Sequence, residues 1–371
     1  MKAGIPLFAL SLLLWHPHTA SATLTTDYSV SGNVGLSVDG GGSTQSTLPN
    51  GLTTEVPTGS TVIAAYLYTS TFELNLGTAG SLVANSTAGG TLNGNNITYT
   101  ALPANASSHV ALQAGVANVT SIVQAEVNPS GVTAVGGVYN FTATETNTAY
   151  QDGEVLITVY SNPSLPTASI GILDGAASSA GDISSINFAS NPAGDTVLMS
   201  VGDGFSYDLS GETNQFSTID VDGSLLTAAA GNCDESQDGG TPPNATGCNN
   251  GDLITAGVLG LNSNGSVDSP YSNPFTTIGD TNTATDHELY NISSLINPAD
   301  GDTIGLTTAN SSLDDNIFEE TFYVAGLAGF NAPPPPPTNA GPAPEPSSIT
   351  LLGTAVGLGM MFWKQRKPQL A

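Results

Sequence analysis

Between Lys2 and Lys364 the chain has neither lysine nor arginine, while residues 23 to 330 hold thirty of its thirty-one carboxylates. No salt bridge to Lys or Arg can fasten one element of that stretch to another, so any fold it adopts rests on apolar packing and hydrogen bonds. A cation needed by the body must come from outside it. The formal charge of −27 at pH 7 repels nucleic acid and anionic lipid headgroups. Both tryptophans, Trp15 and Trp363, lie in the end segments, and the body keeps two histidines, His109 and His287.

The body reads as all-β. It is rich in Gly, Thr, Ser, Asn and Val, with short apolar or alternating runs broken by turn residues. The spacing predicts strands at Val62 to Tyr68, Val138 to Ala143, Val155 to Tyr160, Ile304 to Thr308 and Ile317 to Val324. In the last of these, alternation puts Phe318, Glu320, Phe322 and Val324 on one face, so Glu320 sits at a strand end or lines a site. Turn signals recur at Asp39-Gly40-Gly41, Asn93-Gly94-Asn95, Asp152-Gly153, Asp174-Gly175 and Asp222-Gly223. No long amphipathic helix pattern is present.

About 310 residues is more than one sandwich usually holds. A weak internal repeat points to two. Val119 to Val123 after Asn118 matches Ile292 to Ile296 after Asn291, a short turn or 3₁₀ segment in each half. Each is followed by a Thr-rich strand pair, and Leu92-Asn93-Gly94 corresponds to Val221-Asp222-Gly223. The expectation is two jelly-roll-like β-sandwich domains, 23–162 and 163–330.

The ends read as addresses. Lys2, the apolar run Leu7 to Trp15 and the small residues Ala20-Ser21-Ala22 form a secretory signal peptide over 1–22. Five prolines from Pro333 to Pro337 begin a Pro-rich linker, 331–343. With the residues up to Pro346 it makes a polyproline II stalk reaching about 50 Å. Then come Pro344, Glu345 and Pro346, an apolar run 349–363, and the basic stop Lys364, Arg366 and Lys367. Fifteen helical residues span about 22 Å, short of a ~30 Å hydrocarbon core, yet a basic stop is enough to pause export with the cationic end inside.

This order of parts, with Leu351-Leu352-Gly353 and Gly357-Leu358-Gly359 inside the run, resembles the PEP-CTERM sorting signal over 344–371. The resemblance implies a Gram-negative host that makes exopolysaccharide. It further implies export through the Sec translocon and a helix held transiently in the inner membrane. An exosortase-type enzyme would then release the protein to the envelope, outer surface or extracellular matrix. A plain C-terminal membrane tail is the alternative. In the body, Ser169 to Gly175, Gln215 to Gly223 and Asp314 to Phe318 resemble recurring segments of secreted bacterial surface proteins. That likeness implies a surface β-protein and carries no site residue with it.

Carboxylates crowd the second half, twenty-two in 161–330 against eight in 23–160. They fall on Gly/Asn-rich loops of the sort that build oxygen-ligand calcium sites. Asp220 and Asp222 would project together from an extended segment, and Asp314, Asp315 and Asn316 begin the last strand. These five are the candidate calcium ligands. The competing reading is that they are solvated turn residues. A third acidic loop, with Asp234, Glu235 and Asp238, is bracketed by Cys233 and Cys248. In an exported protein so isolated a pair is most simply a disulfide, worth about 3 kcal/mol for a loop of that size.

No metalloprotease, nucleophile-elbow or phosphate-loop motif occurs. His287 between Asp286 and Glu288 is a candidate acid or base, more often a solvated turn residue. The expectation is therefore a non-enzymatic surface protein that is structural or adhesive and bridges anionic exopolysaccharide in a biofilm matrix through calcium. A module for neutral glycans is the alternative. A glycoside hydrolase needs only two carboxylates and is the third reading.

Overall fold

The computed structural model describes residues 24–42, 50–73, 89–106, 111–147, 150–177, 182–204, 217–230, 254–256, 289–309, 316–326 and 329–330. The described residues all belong to one compact unit. The signal peptide 1–22, the linker 331–343 and the tail 344–371 lie outside the described residues. Among those described, no helix is long and apolar enough to cross a membrane.

The body is all-β, with four antiparallel sheets. Its strands are β1 (Thr25–Gly32), β2 (Val34–Gly42), β3 (Asn50–Val56), β4 (Thr61–Glu73), β5 (Gly90–Leu92), β6 (Asn95–Ile97), β7 (Thr100–Ala106), β8 (Ala111–Asn118), β9 (Gly137–Glu145) and β10 (Gln151–Ser161). The chain continues with β11 (Ala168–Asp174), β12 (Asp182–Asn187), β13 (Val197–Gly204), β14 (Ser217–Val221), β15 (Ser224–Ala230), β16 (Ile254–Ala256), β17 (Leu289–Asn291), β18 (Thr303–Ala309) and β19 (Asn316–Ala325). One helix, α1 (Thr120–Val127), follows β8.

Strands of the first half make an outer sheet, β3-β9-β5-β6, and an inner sheet, β2-β10-β4-β8-β7. The second half repeats the plan with an outer sheet β12-β18-β14-β15 and an inner sheet β11-β19-β13, where β17 and β16 both pair with β13. β1 adds itself to the free edge of β11.

Two apolar cores show how the sheets stack. The first joins Leu52, Leu92 and Phe141 of the first outer sheet to Leu67 and Leu156 of the first inner sheet, and goes on through Tyr68 and Ile157 to Ile170, Leu198 and Tyr323 of the second inner sheet. The second core joins Leu173, Met199 and Phe322, on the opposite face of the second inner sheet, to Ile186, Ile219 and Ile304 of the second outer sheet. The inner sheets are thus covered on both sides. All seven residues of β11 and all eight of β13 are buried, whereas β12 alternates buried and exposed. A strand sandwiched between layers reads as a continuous run, and one facing water on one side alternates.

Local chemistry repeats as well. Asn93-Gly94 and Asp222-Gly223 turn the two short outer hairpins with φ of 47°, 72°, 48° and 75°, the left-handed pair that a two-residue hairpin turn requires. The Thr142 amide donates to Asn93 Oδ1 at 2.8 Å, and the Gly305 amide to Asp222 Oδ1 at 2.7 Å. Val119 N–H donates to the Ala65 carbonyl and Ile292 N–H to the Val197 carbonyl. The segments after Asn118 and Asn291 then diverge. The expected short turn is in the first half an eight-residue helix, with Val123 and Val127 buried one turn apart. In the second half Pro298 follows six residues after Ile292, a helix has no room, and a turn suffices.

Two turn signals fall inside strands. Asp39 lies within β2, where its carboxylate accepts the Thr53 amide and hydroxyl, both at 2.6 Å. Gly153, at φ 135°, sits at a register shift between Gln151 and Glu154 where β10 meets β4. The alternation expected for the last strand is also broken. A shift between Gly202 and Asp203 of β13 leaves Phe318 bulged out of register. Phe318 therefore joins the first core while Phe322 and Val324 join the second. A bulge puts two residues opposite one and resets which face follows.

Candidate functional site

With the stack in place, carboxyls stand where the sequence has no cation to meet them. Glu145, Glu154, Asp174, Asp182, Asp203, Glu319 and Glu320 are all buried. A buried ionised carboxylate is costly unless paired, so such groups hold their protons or find a partner.

In the first half the pair is Glu145 and Glu154. β9 turns Phe141, Ala143 and Glu145 inward, and β10 turns Glu154, Leu156 and Thr158 toward them, as shown by the Thr54–Thr158 hydroxyl contact of 2.9 Å between outer and inner sheets. Burial, and then the charge of Glu154, push Glu145 up to about 9. Neither oxygen of Glu145 has a hydrogen-bond partner, and nor does the buried hydroxyl of Tyr99. That phenol is raised well above its usual value by burial and by Glu154 and Glu145. On the inner-sheet side Thr69 lies across from Glu154, and Gln151 donates to the Thr69 hydroxyl at 3.4 Å.

Between the inner sheets the pair is Asp174 and Glu319, register partners on β11 and β19. Tyr68 of the first half donates its hydroxyl to Asp174 Oδ2 at 3.2 Å, and its ring lies 6.2 Å from that of Phe318. Burial and Asp27 push Asp174 up to about 6, against the pull of the Tyr68 hydrogen bond. Glu319 accepts from the Thr321 hydroxyl and is held well above the usual carboxyl range, by burial first. Gly202 lies beneath it, where an added Cβ would come within 3.2 Å of Oε2.

In the second half Glu320 points the other way, toward the outer sheet. Burial raises it to about 8, with the facing Ser184 hydroxyl opposing the rise. It occupies the place of Glu154. Ala65 and Val197 are equivalent by the bonds above, their partners are Thr158 and Val324, and each Glu lies four residues earlier.

The residues singled out from sequence lie elsewhere. Asp220 is on the outer face of its sheet, since Ser217, Ile219 and Val221 point inward. Asp222 is committed to backbone: Oδ1 accepts the Gly305 amide and Oδ2 the Asn297 amide at 2.9 Å. Asn316 opens β19 opposite Gly204. That is the far end from Val324 and Val197, near which Asp222 is anchored through the segment following Ile292. Asp314, Asp315, Cys233, Cys248 and His287 lie outside the described residues. Among those described, no three His, Cys, Asp or Glu side chains cluster so as to hold a metal.

Sequence reading missed the buried pairs because a lone carboxylate at a strand end looks like a solvated one. One signal was available: Glu154 and Glu320 head matching strands, Glu-Val-Leu-Ile-Thr and Glu-Thr-Phe-Tyr-Val. No protein-family model and no curated protein matches the chain.

Proposed function

We propose that the protein is an exported component of the cell envelope or extracellular matrix with a structural or adhesive role. In this reading residues 1–22 direct export, and the PEP-CTERM signal at 344–371 hands the chain to an exosortase-type enzyme. Two jelly-roll-like sandwiches carried on the Pro-rich linker are what reaches the surface. The observation that carries the reading is the run from Lys2 to Lys364 without Lys or Arg, set beside thirty carboxylates. Such a body repels anionic exopolysaccharide unless a divalent cation bridges them, and extracellular calcium sites of about 10⁻⁴ to 10⁻³ M serve that purpose. The role is non-catalytic.

The test is retention of the surface-released protein on anionic exopolysaccharide in millimolar calcium and after chelation. Retention lost on chelation is expected; equal retention in both removes calcium bridging. A second reading, a neutral-glycan binder, draws support from the exposed, uncharged row Asn140, Thr142 and Thr144 on the outer face of β9. Calcium-independent capture of a defined neutral glycan would favour it.

A further inference from the structure

Toward the end of β9, the space between the first outer and inner sheets holds buried oxygens with no hydrogen-bond partner, both of Glu145 and the hydroxyl of Tyr99 among them. Glu145 is 5% exposed and Tyr99 2%. Tyr99 and Glu145 each feel the charge of Glu154, which is 1% exposed. No lysine or arginine exists in the body to face them.

A proton alone answers only part of this. Protonating Glu145 removes its charge but leaves a buried acid whose oxygens still meet no donor or acceptor, a cost in itself. A hard cation answers both needs. Calcium takes six to eight oxygen ligands at about 2.3–2.6 Å, so it satisfies carboxylate and hydroxyl oxygens that meet no hydrogen-bond donor. Two carboxylates match its charge. The Thr69 hydroxyl oxygen, across from Glu154 and donating its proton to the Gly153 carbonyl at 2.9 Å, is of the type that fills a further position. The pair also stands at the rim of the layer, where β9 ends at Glu145 and β10 begins at Gln151.

We propose that Glu145 and Glu154, with the Tyr99 hydroxyl beside them, form an internal site for a hard divalent cation, calcium first. The site lies in the carboxylate-poor half of the chain. It is distinct from the loop carboxylates that would bridge exopolysaccharide, and its purpose is to fasten the two sheets of that half.

The experiment takes the full chain stripped of metal and titrates it with calcium chloride while melting is followed. A parallel titration uses terbium, whose emission is sensitised by a neighbouring tyrosine. Calcium at about a hundredfold over its Kd is expected to raise Tm by roughly 5 °C. Glu145→Gln, a neutral isostere that keeps the fold, is expected to cut both the shift and the terbium emission sharply, leaving only what the loop carboxylates contribute. Tyr99→Phe is expected to keep a calcium shift and lose most of the emission. An undiminished calcium shift in Glu145→Gln overturns the site. So does full terbium emission in Tyr99→Phe, or a wild-type chain that calcium leaves unmoved. Retention of Glu145→Gln on exopolysaccharide is read separately: if it persists, surface bridging stands whatever the fate of this site.

Discussion

Tyr68 donates its hydroxyl to Asp174 across the interface of the two inner sheets, at 3.2 Å and out of contact with water. It is a polar bond between the halves, in a seam that also holds the buried Glu319. Tyr68→Phe keeps the ring against Phe318 and removes only the donor. The expected loss is about 1 kcal/mol in denaturant unfolding, together with a further rise of the Asp174 pKa above about 6. The rise is read from the pH dependence of the carboxyl carbon resonance. A pKa that falls, or does not move, would remove the bond from the account.

Buried carboxyls give the stability a definite pH dependence. Glu145 near 9 and Glu320 near 8 lie above the unfolded value of about 4.3. Between those limits the native state holds more protons than the unfolded chain, so stability falls as pH rises. It is fully present below about pH 4.3 and levels off above about 9. Exposed carboxylates have finished titrating by about pH 6, so a Tm that declines between pH 6 and 9 reports the interior groups. Glu145→Gln should flatten the upper part of that decline in metal-free buffer.

The Asp222 turn separates charge from geometry. Asp222→Ala removes acceptors for two backbone amides and forces a β-carbon residue without a turn-favouring side chain into φ 48°. About 2–3 kcal/mol should be lost. Asp222→Asn keeps the Oδ1 acceptor, as Asn93 shows in the first half, but sets an amide nitrogen where Oδ2 met the Asn297 amide, so it should cost about 1–2 kcal/mol, less than Asp222→Ala. Chemical denaturation of the two variants side by side decides it, and an equal loss in both would mean that the charge matters.

Gly35 is a packing requirement. It faces Tyr160 across β2 and β10, and an added Cβ would lie 2.4 Å from a ring carbon. Gly35→Ala should destabilise the chain by about 1–3 kcal/mol, seen as a lower urea midpoint at unchanged slope.

Much of this architecture can be read from the residues. The strong strands from Val62, Val155 and Ile317 declare themselves by β-branched and aromatic runs, and Asn93-Gly94 and Asp222-Gly223 by the backbone conformation they permit. What resisted reading depends on contacts far apart in the chain. Asp39-Gly40-Gly41 looks like a turn until Thr53 is found holding Asp39 in a strand. Phe318 changes faces because of a bulge set by its pairing with β13. The acidic loops stand out by composition, whereas the carboxyls with unusual surroundings, Glu145 at the end of β9 and Glu319 within β19, belong to ordinary strands. Only the stacking of four sheets shows how deeply they are buried.

β1 carries a consequence for how the body is made. Thr25 and Thr26 find their partners at Asp174 and Leu173, so β1 has no sheet neighbour until β2 to β10 and then β11 have followed it. Its own successor, β2, meanwhile belongs to a different sheet. The chain therefore closes like a clasp whose tongue is made well before its slot. Such long-range pairing slows folding and leaves an open strand edge in the interval. A truncation ending before Ala168 would keep β2 to β10 and yet strand its own leading segment, with a sticky edge exposed.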